Sequence, residues 1–167
     1  MMITETSRMT IRELTRDDAD FVLEIVNSPG WLQYIGDRGV KDLEGAGRYI
    51  QKNRNNYQVQ GFGLFALELK GSKEVAGMCG LLKRDYLPAP DIGYALLPQF
   101  GGRGLALEAG KAVMEFAQKQ LNLDTIFAIV TPKNSRSIGL LDKLGFVFDR
   151  TIMEGEELLV YRWSSVI

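Results

Sequence analysis

Gln99-Phe100-Gly101-Gly102-Arg103-Gly104 is the stretch of this chain best suited to chemistry, because its glycines lie between an apolar run and an amphipathic segment. The run before it, Ile92 to Leu97, reads as a buried strand closed by Pro98. After it, Ala106, Ala109, Val113, Phe116 and Ala117 recur on one helical face between Leu105 and Gln120. A strand, a glycine turn and a helix start make a phosphate cradle. Glycine lets the backbone approach an anion, and the first helical turn offers unpaired N–H groups at a positive dipole end. Nucleotide hydrolysis would need Lys and Ser or Thr after the last glycine, where this chain has Leu105 and Ala106. A dinucleotide fold would place its glycines early in a βαβ unit, whereas these lie past mid-chain behind a hairpin pattern. Taken alone, the hexamer reads equally well as a tight strand-to-helix turn.

A second block follows about 30 residues later, a spacing suited to one βαβ crossover. It runs Asn134-Ser135-Arg136-Ser137-Ile138-Gly139-Leu140-Leu141-Asp142-Lys143-Leu144-Gly145-Phe146. Together the two blocks resemble the GNAT superfamily of N-acetyltransferases, in its Gln-x-x-Gly-x-Gly loop and its Asn-x-x-(Ser/Ala)-x-x-Leu-x-x-x-Gly-Phe segment. The wording Ile92-Gly93-Tyr94-Ala95-Leu96-Leu97-Pro98 is similar to the RimJ/RimL-like branch, which includes ribosomal-protein N-terminal acetyltransferases. The resemblance extends from Thr10 to Trp163. It implies acetyl-CoA as co-substrate, no metal, and acetyl transfer to a primary amine by direct attack in a ternary complex.

Residue by residue, the resemblance assigns the pyrophosphate to backbone N–H groups around Gly102, Gly104, Leu105 and Ala106, and counts Gln99 and Gly101 among the cofactor-binding residues. Arg103 either adds charge beside the phosphates or is a solvated turn residue. Leu96 and Leu97 take the pantetheine amides through their backbone, and Asn134 both caps a helix and meets the pantetheine arm. Many relatives carry a Tyr general acid where this chain has Leu141, which leaves Ser137 as the nearest donor to the departing sulfur, with a small helix residue packed against the cofactor helix as its other reading. The chain has no histidine. Some relatives place a carboxylate that deprotonates the amine through water at the start of the central strand, so the resemblance makes Asp91 the base candidate, with a solvated strand end as its other reading. Tyr34 and Asp37 fall in a loop that would flank the acceptor; Tyr34, like its neighbour Trp31, reads also as a core plug. An α-amine, with pKa about 7.7–8.0 against about 10.4 for lysine, suits an enzyme with such weak bases.

These residues need a scaffold, and the pattern supplies one. Thr10 to Leu14 reads as a strand, and Thr15 with Asp18 as a capping box for a helix ending at Asn27-Ser28-Pro29-Gly30. Trp31 to Val40 reads as a loop and Asp42 to Asn55 as a second helix. Phe62–Leu69 and Val75–Leu82 form a hairpin, and Asp91–Leu97 is the central strand. After the loop and its helix come a strand at Thr125–Val130, the helix capped by Asn134, and a hairpin of Phe146–Ile152 with Leu158–Trp163. The expected fold is one α/β (α+β) domain over residues 1–167. Its GNAT-type mixed, mostly antiparallel sheet has six to seven strands, splayed at the centre and flanked by about four helices.

Composition is consistent with this scheme. The 20 basic and 21 acidic residues nearly cancel, so no global field points to nucleic acid or membrane. The single cysteine, Cys79, falls in a strand pattern as an apolar filler; it excludes an internal disulfide and fits a reducing compartment. With no export or membrane-span pattern, the expectation is a cytoplasmic monomer or homodimer. Two alternatives stay open: a CoA-binding module without turnover, and an enzyme of the same fold acting on a small amine such as a polyamine, amino acid or antibiotic.

Overall fold

The computed structural model describes residues 1–165. Eight strands form one sheet: β1 (Met2–Glu5), β2 (Met9–Glu13), β3 (Leu64–Leu69), β4 (Val75–Leu82), β5 (Asp91–Leu96), β6 (Thr125–Val130), β7 (Val147–Met153) and β8 (Glu157–Ser164). Five helices accompany them: α1 (Ala19–Ile25), α2 (Pro29–Tyr34), α3 (Leu43–Gln60), α4 (Leu105–Lys119) and α5 (Ser135–Lys143). The order in space is β1-β2-β3-β4-β5-β6-β8-β7, and every neighbouring pair is antiparallel except β5 with β6. This is the expected mixed sheet, enlarged by β1. That short strand pairs with β2 at the sheet edge and has no apolar alternation of its own.

The parallel junction decides where a ligand can enter. β5 and β6 are in register at one position, Asp91 opposite Phe127, with the Phe127 N–H donating to the Pro90 carbonyl at 2.9 Å. Beyond it the two strands diverge as they run toward the glycine loop. On its other side β5 pairs with β4 from Asp91 to Leu96. Leu97 continues that edge, its N–H reaching the Ala76 carbonyl at 2.9 Å. Because backbone groups alternate between the two edges of a strand, Tyr94 and Leu96 turn theirs toward the gap beside β6. α4 makes the crossover between β5 and β6, and Gly110 lets it sit against Leu144 just beyond α5.

Two helices differ from expectation. Pro29-Gly30 starts α2 where a stop was expected, so part of the Trp31–Val40 loop is helical. Proline lacks only an N–H that a first turn leaves unpaired, and Ser28 before it is extended. α3 runs on to Gln60, and tertiary bonds account for the extra turn. The Asn53 side-chain carbonyl accepts the Leu64 N–H at 3.0 Å, and the Tyr57 hydroxyl bridges the Leu64 carbonyl and the Leu14 N–H.

The Thr15–Asp18 box forms. The Asp18 carboxylate accepts the Thr15 N–H at 2.8 Å and both terminal nitrogens of Arg12 at 2.8 and 2.9 Å. Burial raises the Asp18 pKa, but the bonds from Arg12 and Thr15 outweigh it and hold the carboxyl below its ordinary value. A depressed carboxylate contributes stability above its unfolded pKa, and that stability is lost as pH falls through the folded value. Asp18→Asn should therefore cost about 2–3 kcal/mol at pH 7, shrinking toward zero in acid. Urea melts of both proteins at pH 7 and pH 3 measure this difference.

Candidate active site

Gly102 and Gly104 both adopt left-handed backbone, φ +76° and +77°, which turns the chain sharply into α4. No backbone N–H from Gly102 through Leu107 donates a hydrogen bond among the described residues. A glycine cradle rimmed by six free N–H groups fits a pyrophosphate. Gln99 is exposed and Phe100 buried in the short turn before it, and the Gly101 N–H is taken by the Pro98 carbonyl. Arg103 is exposed, with its guanidinium 5.6 Å over the Phe100 ring.

Arg8, from the turn between β1 and β2, is part of this loop although it lies 95 residues from Arg103. It donates to the Arg103 carbonyl and to Glu108 in the first turn of α4, each at 2.8 Å. Glu108 would otherwise repel an anion at that helix end, and Arg8 neutralises it. Nothing local in the sequence signals this tie.

Where β5 and β6 part, the first turn of α5 closes the space. The Asn134 side-chain oxygen accepts the Ser137 N–H at 3.2 Å, which confirms the expected cap. The Ser137 hydroxyl lies 2.8 Å from the hydroxyl of Tyr94, which is half-buried on β5. Burial pushes the Tyr94 phenol up to about 12, so it stays protonated at neutral pH. Sequence reasoning did not single out Tyr94. The signal was its parity with Leu96, which turns both side chains to the same face of β5. Leu141 is buried.

The structure places Asp91 apart from this cluster. It sits at the closed end of the gap, five residues before Leu96, or roughly 16 Å along the strand at about 3.3 Å per residue. The pleat turns it to the face opposite Tyr94. It is 1 % exposed and bonded at 3.0 Å to Arg84, so the solvated strand-end reading is excluded. Burial pushes its carboxyl up to about 6, against the pull of Arg84.

An open cavity of about 380 Å³ lies past the end of β6. Gln33 and Tyr34 from α2, Thr131 and Lys133 from the β6–α5 connection, Glu156 from the β7–β8 turn and Glu157 at the start of β8 line it. The Thr131 hydroxyl oxygen is buried without a partner among the described residues. Asp37 is not in the lining. Its exposed carboxylate closes its own loop, accepting the Gly39 N–H at 2.8 Å and pairing with Lys41. Trp31 is a core residue. Cys79 is fully buried opposite Tyr94 on β4, and burial pushes its thiol up to about 12. Among the described residues no helix is long and apolar enough to cross a membrane, and no group of three or more His, Cys, Asp or Glu could hold a metal.

Known proteins share this fold. Residues 8–147 match the family model described as an acetyltransferase (GNAT) domain. An uncharacterized N-acetyltransferase of Bacillus licheniformis, p20, is 32 % identical over 143 residues, which cover 84 % of this chain and 80 % of p20. The crystal structure of an acetyltransferase from Agrobacterium tumefaciens is 28 % identical, with a TM-score of 0.84 over 97 % of this chain and 94 % of that one. RimL, a ribosomal L7/L12 alpha-N-protein acetyltransferase solved with coenzyme A, shares the fold at a TM-score of 0.85, 17 % identity and 98 % coverage of both chains. With the phosphate cradle, the parted strands and the capped α5 in place, this chain belongs to the GNAT family of acetyltransferases, which transfer an acetyl group from acetyl-CoA to an amine.

Proposed function

We propose that this enzyme acetylates an α-amine, that of a protein or peptide N-terminus, by direct attack on acetyl-CoA in a ternary complex. The observation that carries the reading is the parted β5–β6 edge, which runs toward a cradle of free N–H groups, together with an open cavity at Tyr34 past the end of β6. The N–H groups of Gly102 to Leu107 would hold the pyrophosphate, with Arg103 adding charge. Backbone groups of Leu96 would bind the pantetheine amides and polarise the thioester carbonyl. The Leu97 N–H is spent on the Ala76 carbonyl and its carbonyl on the Phe100 N–H, so Leu97 would serve by packing alone. Asn134 would meet the pantetheine arm, and Ser137 would donate to the departing sulfur.

Direct attack is favoured because Cys79, the one thiol, is buried and held protonated. We give the role of base to no side chain. Near neutral pH roughly a tenth or more of an α-amine is already neutral. Asp91 instead pins the closed end of the gap through Arg84. The rate should rise with pH toward the pKa of the acceptor and then level. Asp91→Asn should leave that profile unmoved, and an alkaline shift of the profile would restore Asp91 as base.

Glu156 and Glu157 at the cavity favour a second reading, a small cationic amine such as a polyamine. Initial rates with N-terminal peptides, polyamines and amino acids separate the two. A cationic acceptor bound there predicts that Glu156→Gln raises its KM about 5- to 10-fold while the KM for acetyl-CoA stays constant. Tight acetyl-CoA binding with no turnover on any acceptor would leave a CoA-binding module.

A further inference from the structure

We infer that Tyr94 is a positioning residue for the acetyl transfer, aiming the Ser137 hydroxyl hydrogen at the departing sulfur. The inference rests on the reading of Ser137 given above and supplies what that reading lacks. A serine hydroxyl on a helix rotates freely and commonly turns back to a carbonyl one turn earlier, where its hydrogen is lost to a donor role. Here its backbone is fixed, because the Ser137 N–H is held by Asn134 at 3.2 Å. Its side chain has one partner among the described residues, the Tyr94 hydroxyl at 2.8 Å.

Tyr94 has one hydrogen to give. When it donates to the Ser137 oxygen, Ser137 must direct its own hydrogen elsewhere, and the remaining open direction is the space between β5 and α5. The opposite arrangement, in which Ser137 donates to Tyr94, lets Tyr94 donate to the Ser137 carbonyl at 3.3 Å. That arrangement keeps the 2.8 Å contact and adds only a long, weak bond. The departing thiolate, an ionised acceptor, therefore draws the Ser137 hydrogen outward, and Tyr94 turns to donate to the Ser137 oxygen. Burial keeps the phenol protonated, so its hydrogen is always available. β5 also carries the Leu96 backbone edge, so one rigid strand would set both the thioester and the group that aims the donor.

The step balances without a net change in either side chain. The amine nitrogen forms the C–N bond, and the C–S bond breaks with its electron pair on sulfur. Sulfur leaves accepting the Ser137 hydrogen bond, which Tyr94 strengthens from behind. The proton that the nitrogen loses equals the one that the free thiol gains. A hydroxyl pair built from a strand and a helix thus stands where Leu141 offers no hydroxyl at all.

A double-mutant cycle tests the coupling. Ser137→Ala should lower kcat about 30-fold and Tyr94→Phe about tenfold, each with both KM values within about twofold of the parent. The double variant should be no slower than Ser137→Ala alone, because Tyr94 acts through that hydroxyl. A thioester with a more acidic thiol, which needs less help to leave, should shrink the Tyr94→Phe deficit. CoA affinity and thermal melting of the variants check the fold. Costs that add, or a Tyr94→Phe rate equal to the parent's while Ser137→Ala is slow, would overturn the role of Tyr94 alone. An unchanged Ser137→Ala rate would overturn the reading of Ser137 and this inference with it.

Discussion

Gly104→Glu should weaken acetyl-CoA binding by more than about a thousandfold, the largest effect of any single change in the site. Three causes act together. Gly104 sits at φ +77° as the residue before α4, and a side chain there is strained by about 1–2 kcal/mol. The carboxylate would stand at the rim of the free N–H groups and repel the pyrophosphate they are placed to hold. It would also compete for Arg8, whose guanidinium lies 3.6 Å from the Gly104 Cβ position and is already shared by Glu108 and the Arg103 carbonyl. Gly104→Ala separates these causes, since it brings the strain without the charge. It should lower stability by about 1–2 kcal/mol and weaken binding no more than about tenfold. Isothermal calorimetry with acetyl-CoA, alongside circular dichroism, reads both. Equal affinities for the two variants would show that the loop does not hold the phosphates.

Arg84→Met should cost about 3 kcal/mol of stability at pH 8 and less at pH 5. The change leaves the Asp91 carboxylate buried with no cation. The Asp91 pKa is already pushed up to about 6, above its unfolded value. Between the two values the folded protein holds a proton that the unfolded chain has released, so stability falls as pH rises through that window. Removing Arg84 raises the folded pKa further and widens the window upward. The penalty therefore grows toward alkaline pH. Arg84→Met with Asp91→Leu should recover most of the loss, because a buried ion pair is replaceable by apolar residues of similar volume. Denaturant melts at the two pH values decide it, and a loss independent of pH would contradict the assignment.

The parts legible in the sequence are those governed by local rules. Gly102 and Gly104 announce a turn, Asn134 announces a cap, and alternation announces β3 and β4, because each depends on neighbours a few residues away. Pro29-Gly30 misled for an equally local reason, since the pair serves a helix start as readily as a stop and only the packing of Trp31 decides between them. Asp91 shows the limit differently. A carboxylate at a strand end reads as solvated until the 83–90 connection folds Arg84 onto it. The Tyr94–Ser137 pair and the Arg8 tie join residues 43 and 95 positions apart, so no window of sequence contains either. The parting of β5 from β6 is written in no side chain, because it is a property of two backbone edges. The cofactor half of the site was therefore readable as motif, and the half that governs the acceptor and proton traffic was not.

Direct acetyl transfer to an α-amine is tested by thiol release from acetyl-CoA, followed at saturating acetyl-CoA while an N-terminal peptide amine is titrated, with the product read by mass spectrometry. Saturable release that requires the free amine and yields one acetyl group on the peptide α-nitrogen is the expected result. Release that ignores the amine, or a protein that fails to bind acetyl-CoA, would contradict it.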